Sequence, residues 1–114
     1  MGETSGTYGG VGSPPSMAAR LAAVNVALIK GSYPDQPAWR FVTGVAEEAG
    51  EFVGAFNRFS GTSRRTGTKD EMAKELADVV LTAYMAADVL GIDLDAVVAE
   101  KAEIMRNRGW KTRD

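Results

Sequence analysis

Residues 45–53 read V-A-E-E-A-G-E-F-V and place three glutamates inside an otherwise apolar helical segment. At about 100° per residue, Phe41 and Phe52 fall within about 40° of Glu48 around the helix axis, and Glu51 lies about 60° away. Glu48 therefore lies within the apolar stripe of this helix and Glu51 at its edge. Burying an unpaired carboxylate costs several kcal/mol. The segment predicts either solvated acids or a cation held among them.

A second segment repeats this arrangement, with Glu75 and Asp78 spaced i, i+3 beside Val79. Residues with this spacing have Cβ atoms roughly 5–6 Å apart on one helix face. If the two helices pack as an antiparallel hairpin, the two acid pairs face each other, and their repulsion raises their pKa values unless a cation neutralises them. Oxygen ligands alone favour Mg²⁺, with Mn²⁺ as a second possibility.

The composition excludes several classes of function. The chain has 114 residues, a formal net charge of -2, no cysteine and no histidine. Disulfides, thiolate zinc sites, catalytic triads that contain histidine and histidine-ligated di-iron sites are therefore ruled out. No basic patch indicates a nucleic-acid partner, and no apolar run approaches the ~20 residues that a membrane span needs. We expect a cytoplasmic protein.

Helical periodicity without strand-like alternation predicts an all-α chain, a four-helix bundle. The predicted helices cover about residues 17–30, 37–59, 70–90 and 94–107. Ahead of them, residues 1–15 are Gly-rich and read as a flexible tail, so that residues 16–114 form one helical domain.

The helix ends carry recognisable signals. Ser16, Asp35 and Asp93 are expected to cap the first, second and fourth helices. Thr68 and Glu71 have the spacing of a capping box at the start of the third helix, and Gly91 is expected to end it.

The two acid segments together resemble a known family signature. E-E-A-G-E at 47–51 followed by E-L-A-D at 75–78 is similar to the E-E-x-x-E and E-x-x-D motifs of the MazG-like all-α nucleoside triphosphate pyrophosphohydrolases. The resemblance implies Mg²⁺-dependent hydrolysis between the α- and β-phosphates of a (d)NTP, giving a monophosphate and pyrophosphate. It implies that Glu48, Glu51, Glu75 and Asp78 bind the metal.

Further residues are candidates for contact with the reacting groups. By the same resemblance, Glu47 orients or deprotonates the attacking water together with Glu48, and Lys101, Asn107 and Arg108 reach the substrate phosphates. Arg65, in the loop between the acid helices, is a further phosphate candidate. Trp39 could stack on the base, although an aromatic residue near a helix start is more often a packing anchor.

Two other interpretations stay open beside the enzyme. One is an inactive helical oligomerisation or nucleotide-binding module, and the other is a redox di-metal bundle, which the absence of histidine disfavours. Ala46, Gly50 and Gly54 form a small-residue stripe that another helix of the chain or of a partner could approach. With this much apolar helix surface in a short chain, we expect a homodimer or homotetramer.

Overall fold

A computed structural model of the chain describes residues 13–109. It contains four α-helices and no strand within that range, which confirms the predicted all-α class and all four helices. The helices are α1 Met17–Ser32, α2 Ala38–Ser60, α3 Lys69–Leu90 and α4 Leu94–Arg108.

Most of the predicted helix ends are confirmed by their hydrogen bonds. The side chains of Ser16 and Asp93 accept from backbone N–H groups in the first turns of α1 and α4. At α3, the Thr68 hydroxyl accepts from the Glu71 N–H, and the Glu71 carboxylate accepts from the Thr68 N–H at 2.8 Å. Gly91 ends α3 with a left-handed φ of 71°, a conformation that glycine adopts without steric cost.

The prediction that Asp35 caps α2 is wrong. Pro37 is the N-cap, with an extended backbone and no side-chain cap, and its carbonyl accepts from the Arg40 N–H. Gln36 precedes the proline and is therefore disfavoured in the helical region. Helical geometry consequently begins at Ala38, two residues too late for Asp35 to be the N-cap.

Helix α3 is the centre of the fold, because α1 and α2 each pack along it and no other pair of the four helices makes more than marginal contact. Small residues dominate the buried positions, which are Ala22, Val26, Phe41, Ala55, Ala86 and Ala87. Alanine lets helix axes approach closely but contributes little apolar area. The three-helix unit is therefore held by a thin core.

Helix α4 is attached mainly through its first turn. One oxygen of Asp95 accepts from the backbone N–H of Ser16 at 2.8 Å, and the other accepts from the Tyr84 hydroxyl at 2.8 Å. A single carboxylate thus joins the starts of α1 and α4 to the middle of α3. None of the described residues of α4 is buried.

The predicted division at residue 15 stays a prediction. Residues 1–12 lie outside the described range, and Ser13, Pro14 and Pro15 have no regular secondary structure. Among the described helices, none combines the length and the apolar character that crossing a membrane would require.

Candidate functional site

The packing of α2 against α3 brings three of the predicted acids together. Glu48 and Glu51 of α2 and Glu75 of α3 each offer a carboxylate oxygen, and these oxygens lie within 4.8 Å of one another. One divalent cation can contact all three, because its bonds to carboxylate oxygen are about 2.0–2.6 Å long. Asp78 lies outside this set of mutually close atoms.

The burial of the acids follows their positions around the helices. Glu48 and Glu75, which lie within the apolar stripes of α2 and α3, are half-buried. Glu47, Glu51 and Asp78, which lie further round, are exposed. The most buried acid of each helix thus faces the other helix, and the cluster opens to solvent on the side of Glu47 and Glu51.

The cluster has an electrostatic consequence at Glu48. Burial raises the pKa of Glu48 above its ordinary value, and the neighbouring acids raise it further. In order of decreasing effect these neighbours are Glu51, Asp78, Glu75 and Glu47. All five predicted acids therefore interact in one site, including Asp78, which is too far to share the three-oxygen cluster. The repulsion among them is what a bound cation would relieve.

The geometry around Glu75 likewise favours a bound cation. Its Oε1 is buried and has no hydrogen-bond partner among the described residues. A buried carboxylate oxygen without a partner is costly, and bound cations are among the usual solutions. The donor set is entirely carboxylate oxygen and carries excess negative charge. Both features fit Mg²⁺ or Mn²⁺ better than a softer metal.

An open cleft of about 470 Å³ lies beside the cluster. It is lined by Glu47, Gly50, Glu51, Gly54, Arg58 and Glu75. Gly50 and Gly54 of the small-residue stripe therefore face this cleft. A Cβ placed on Gly50 would meet no atom within 4 Å. A substrate can approach the acids from this side.

Arg58 is the cleft residue that the sequence interpretation missed. It follows Glu51 by seven residues, which returns it to about the same helix face after two turns. The seven-residue spacing from Glu51 is therefore the sequence signal that places Arg58 near the acids.

The other predicted substrate residues do not line the acid cleft. Arg65 is exposed in the loop between α2 and α3, where its backbone N–H contacts the Ser63 hydroxyl. Lys101, Asn107 and Arg108 are exposed on α4. Their assignment to phosphate binding stays a prediction, and it requires either movement of α4 or an α4 supplied by a second copy.

Trp39 is exposed at the start of α2, nine residues and about 13 Å along the axis from Glu48. The guanidinium carbon of Arg40 lies 5.3 Å from the centre of its ring, within the range of a cation–π contact. Base stacking on Trp39 stays a prediction, and it would use the ring face that Arg40 does not cover.

Comparison with known proteins identifies the family of the chain. The sequence model of the family described as phosphoribosyl-ATP pyrophosphohydrolase matches residues 27–103, a range that contains all five acids and Arg58. Searches among curated proteins and among solved structures gave no match. The chain therefore belongs to the phosphoribosyl-ATP pyrophosphohydrolase family, within the MazG-like all-α superfamily that its acid motifs resemble, and its family indicates a pyrophosphohydrolase of a nucleotide-like substrate.

Proposed function

We propose that the protein hydrolyses a nucleoside triphosphate, or a nucleoside triphosphate carrying a further substituent, between its α- and β-phosphates. The products are the corresponding monophosphate and pyrophosphate. The observation that carries this proposal is the three-carboxylate cluster of Glu48, Glu51 and Glu75 at the mouth of an open cleft. The family name adds phosphoribosyl-ATP to the candidate substrates.

Glu48, Glu51, Glu75 and Asp78 would hold Mg²⁺, or Mn²⁺ in its place. When bound, the metal would screen the charge of the triphosphate and lower the pKa of a coordinated water. The buried Oε1 of Glu75 and the repulsion around Glu48 both support cation binding here. The acids themselves fix where the cation and the anhydride sit relative to the chain.

Glu47 is suited to the role of general base. It lines the cleft but is exposed and lies outside the three-oxygen cluster, so its carboxylate is free to accept a proton from water. The water oxygen forms the new bond to phosphorus, and the bond from that phosphorus to the bridging oxygen breaks. Pyrophosphate leaves as an anion, and the proton remains on Glu47 until solvent removes it.

The functional assembly is proposed to be a homodimer or homotetramer. Met17, Leu21, Val24 and Leu28 form an exposed apolar stripe along α1, on the side opposite the buried Ala22 and Val26. On α4, Val97, Val98 and Ile104 are also exposed. Apolar stripes on unpartnered helix faces are characteristic of protein contact surfaces. A second copy could cover them and bring an α4 to the cleft.

A nucleotide panel with Mg²⁺ tests the reaction. It should contain the common ribo- and deoxyribonucleoside triphosphates and phosphoribosyl-ATP, with monophosphate and pyrophosphate separated by chromatography. We expect turnover of at least one substrate. Glu48→Gln and Asp78→Asn should each reduce this turnover by at least about 10- to 100-fold, because residues that only support metal ligands already have effects of that size.

Glu100→Gln is the matched control, because Glu100 is an exposed acid on α4 outside the cleft. Turnover that survives in the Glu48→Gln and Asp78→Asn variants would refute the site assignment. Nucleotide binding without any turnover would instead favour the alternative of an inactive nucleotide-binding module.

A further inference from the structure

Arg58 points back along α2 towards the acid cluster. It is half-buried in the last turns of the helix and lines the same cleft as Glu51 and Glu75. A Cβ placed on Gly54 would lie 3.5 Å from the Arg58 Nη1, so the guanidinium lies over the preceding turn. This is the usual direction of a long side chain on a helix, and here it leads towards Glu51.

The guanidinium has no ion-pair partner within residues 13–109. No carboxylate oxygen of that range lies within 4.0 Å of it, although the cleft contains three glutamates. Its N–H donors are therefore available to a molecule in the cleft. The acids, for their part, remain available to a cation.

Arg58 lies against the loop that precedes α3. The Gly67 N–H donates to the Arg58 carbonyl at 3.2 Å. A Cβ on Gly67 would lie 3.0 Å from the Arg58 Cβ, closer than side-chain carbons normally approach. Gly67 thus leaves space that the Arg58 side chain occupies, whereas a Cβ on Gly54 would be in ordinary contact with the guanidinium. The position of Arg58 is set by the fold and not by a local ion pair.

We propose that Arg58 is a substrate-binding residue that donates hydrogen bonds to the pyrophosphate part of the substrate, the group that leaves. This inference rests on the proposed function, and it identifies the cationic group that the acid side of the cleft otherwise lacks. A guanidinium offers planar paired donors that match two phosphate oxygens. It remains protonated throughout, so it stabilises the departing charge without transferring a proton.

Binding of inorganic pyrophosphate tests the proposal directly. Titration calorimetry with saturating Mg²⁺ would compare wild-type protein with Arg58→Gln, Arg58→Lys and the control Lys30→Gln, which removes a charge from an exposed position on α1. Arg58→Gln should weaken pyrophosphate binding by about tenfold or more, the effect of losing hydrogen bonds to a charged group. Arg58→Lys should recover part of the loss, and Lys30→Gln should match wild type.

Mg²⁺ titration without pyrophosphate separates this role from a structural one. Removing a positive charge beside the acids should leave Mg²⁺ affinity unchanged or increase it. If Arg58→Gln weakens Mg²⁺ and pyrophosphate binding together, or loses helical circular dichroism, Arg58 supports the fold and the proposal is overturned. Wild-type pyrophosphate affinity in Arg58→Gln, or no binding to the wild-type protein, overturns it as well.

The outcome is distinguishable from failure of the proposed reaction. Pyrophosphate binding that depends on Arg58, in a protein that turns over no nucleotide, would support the role of Arg58 and refute the hydrolysis. Nucleotide turnover that is unchanged in kcat and KM in Arg58→Gln would support hydrolysis and refute the role of Arg58.

Discussion

Glu48 is the residue at which the other four acids of the site act together. Its carboxylate is half-buried, and its pKa is raised first by burial and then by Glu51, Asp78, Glu75 and Glu47. An acid with a raised folded-state pKa destabilises the fold progressively as pH rises from its unfolded to its folded pKa. Near neutral pH, Glu48 therefore opposes folding in the absence of a cation and favours cation binding.

The first prediction concerns Mg²⁺ and thermal stability. At about 100 times its Kd, Mg²⁺ should stabilise the wild-type protein by about 2.7 kcal/mol. Glu48→Gln removes a ligand and a repulsive charge together, so we expect it to lose most of this shift while its melting temperature without Mg²⁺ stays equal or rises. Differential scanning fluorimetry with and without Mg²⁺ measures both effects.

Glu100→Gln provides the comparison, and it should keep the full response to Mg²⁺. A Glu48→Gln variant that melts lower than wild type without Mg²⁺ would show that the carboxylate is stabilising. That result would contradict the electrostatic interpretation of the cluster.

At the scale of elements, the connections between helices depend on a few polar contacts. Asp95 joins α1, α3 and α4, and hydrogen bonds hold the pKa of Asp95 below its usual value, with the backbone N–H of Ser16 contributing most. The loop from α2 to α3 is held in turn by the contact of Gly67 with Arg58 and by the capping box of Thr68 and Glu71.

The second prediction concerns the Asp95 carboxylate. Because its folded pKa is depressed, its contribution is complete above the unfolded pKa, near 3.8, and is lost as pH falls through the folded pKa. Asp95→Asn should therefore lower stability by about 1 kcal/mol near pH ~7 and by less near pH ~3. Urea unfolding at one protein concentration measures both values.

Tyr84→Phe removes only one of the two hydrogen bonds to Asp95, and the double variant tests their coupling. The sum of the stability losses in the two single variants should exceed the stability loss in the double variant. An effect of Asp95→Asn that does not change with pH would contradict the role of the ionised carboxylate.

The third prediction concerns Gly67. A Cβ there would lie 3.0 Å from the Arg58 Cβ and 3.3 Å from the Glu71 Oε1. The first contact is with the base of a side chain, so in Gly67→Ala either Arg58 or the loop has to move by a few tenths of an ångström. We expect a loss of about 1–2 kcal/mol. Gly44→Ala is the control, because a Cβ there meets nothing and removing a glycine from a helix interior gains about 0.5–1 kcal/mol. Chemical denaturation distinguishes the opposite signs.

At the scale of the whole molecule, the chain buries little apolar surface by itself. Four of the six buried apolar residues are alanines, and none of the large described side chains is completely buried. Helix α4 has no buried residue among those described. A small domain with so thin a core is marginal, and association with a second copy is a common way to supply the missing burial.

The fourth prediction is that the protein is a dimer or tetramer whose contact includes the apolar stripe of α1. Leu21→Glu places a charge in that stripe, so it should shift the species towards monomer and lower the melting temperature. Ala27→Glu, an exposed position of α1 beside the stripe, should have a smaller effect. Size-exclusion chromatography with light scattering measures the mass. A monomeric wild-type protein at micromolar concentration would contradict the prediction.

The features that could be predicted from the sequence are those that depend on contacts along the chain. Helix bounds, the caps at Ser16, Thr68 and Asp93, and the stop at Gly91 all follow from hydrogen bonds within a few residues. The placement of Glu48 and Glu75 in apolar stripes follows from helical period alone. The cap expected at Asp35 failed for an equally local reason, because Pro37 keeps the preceding residue out of the helix.

Which side chains meet across helices depends on how the helices pack, and the sequence did not predict it. The approach of α3 to α2 places Glu75 within reach of Glu48 and Glu51 and leaves Asp78 outside the closest set. The same approach forms a cleft that is lined by Gly50, Gly54 and Arg58. The basic residues of α4 do not line this cleft. The helical period determines the direction in which each side chain points around the axis of its helix. The offset and separation of two axes come from packing, which no single segment encodes.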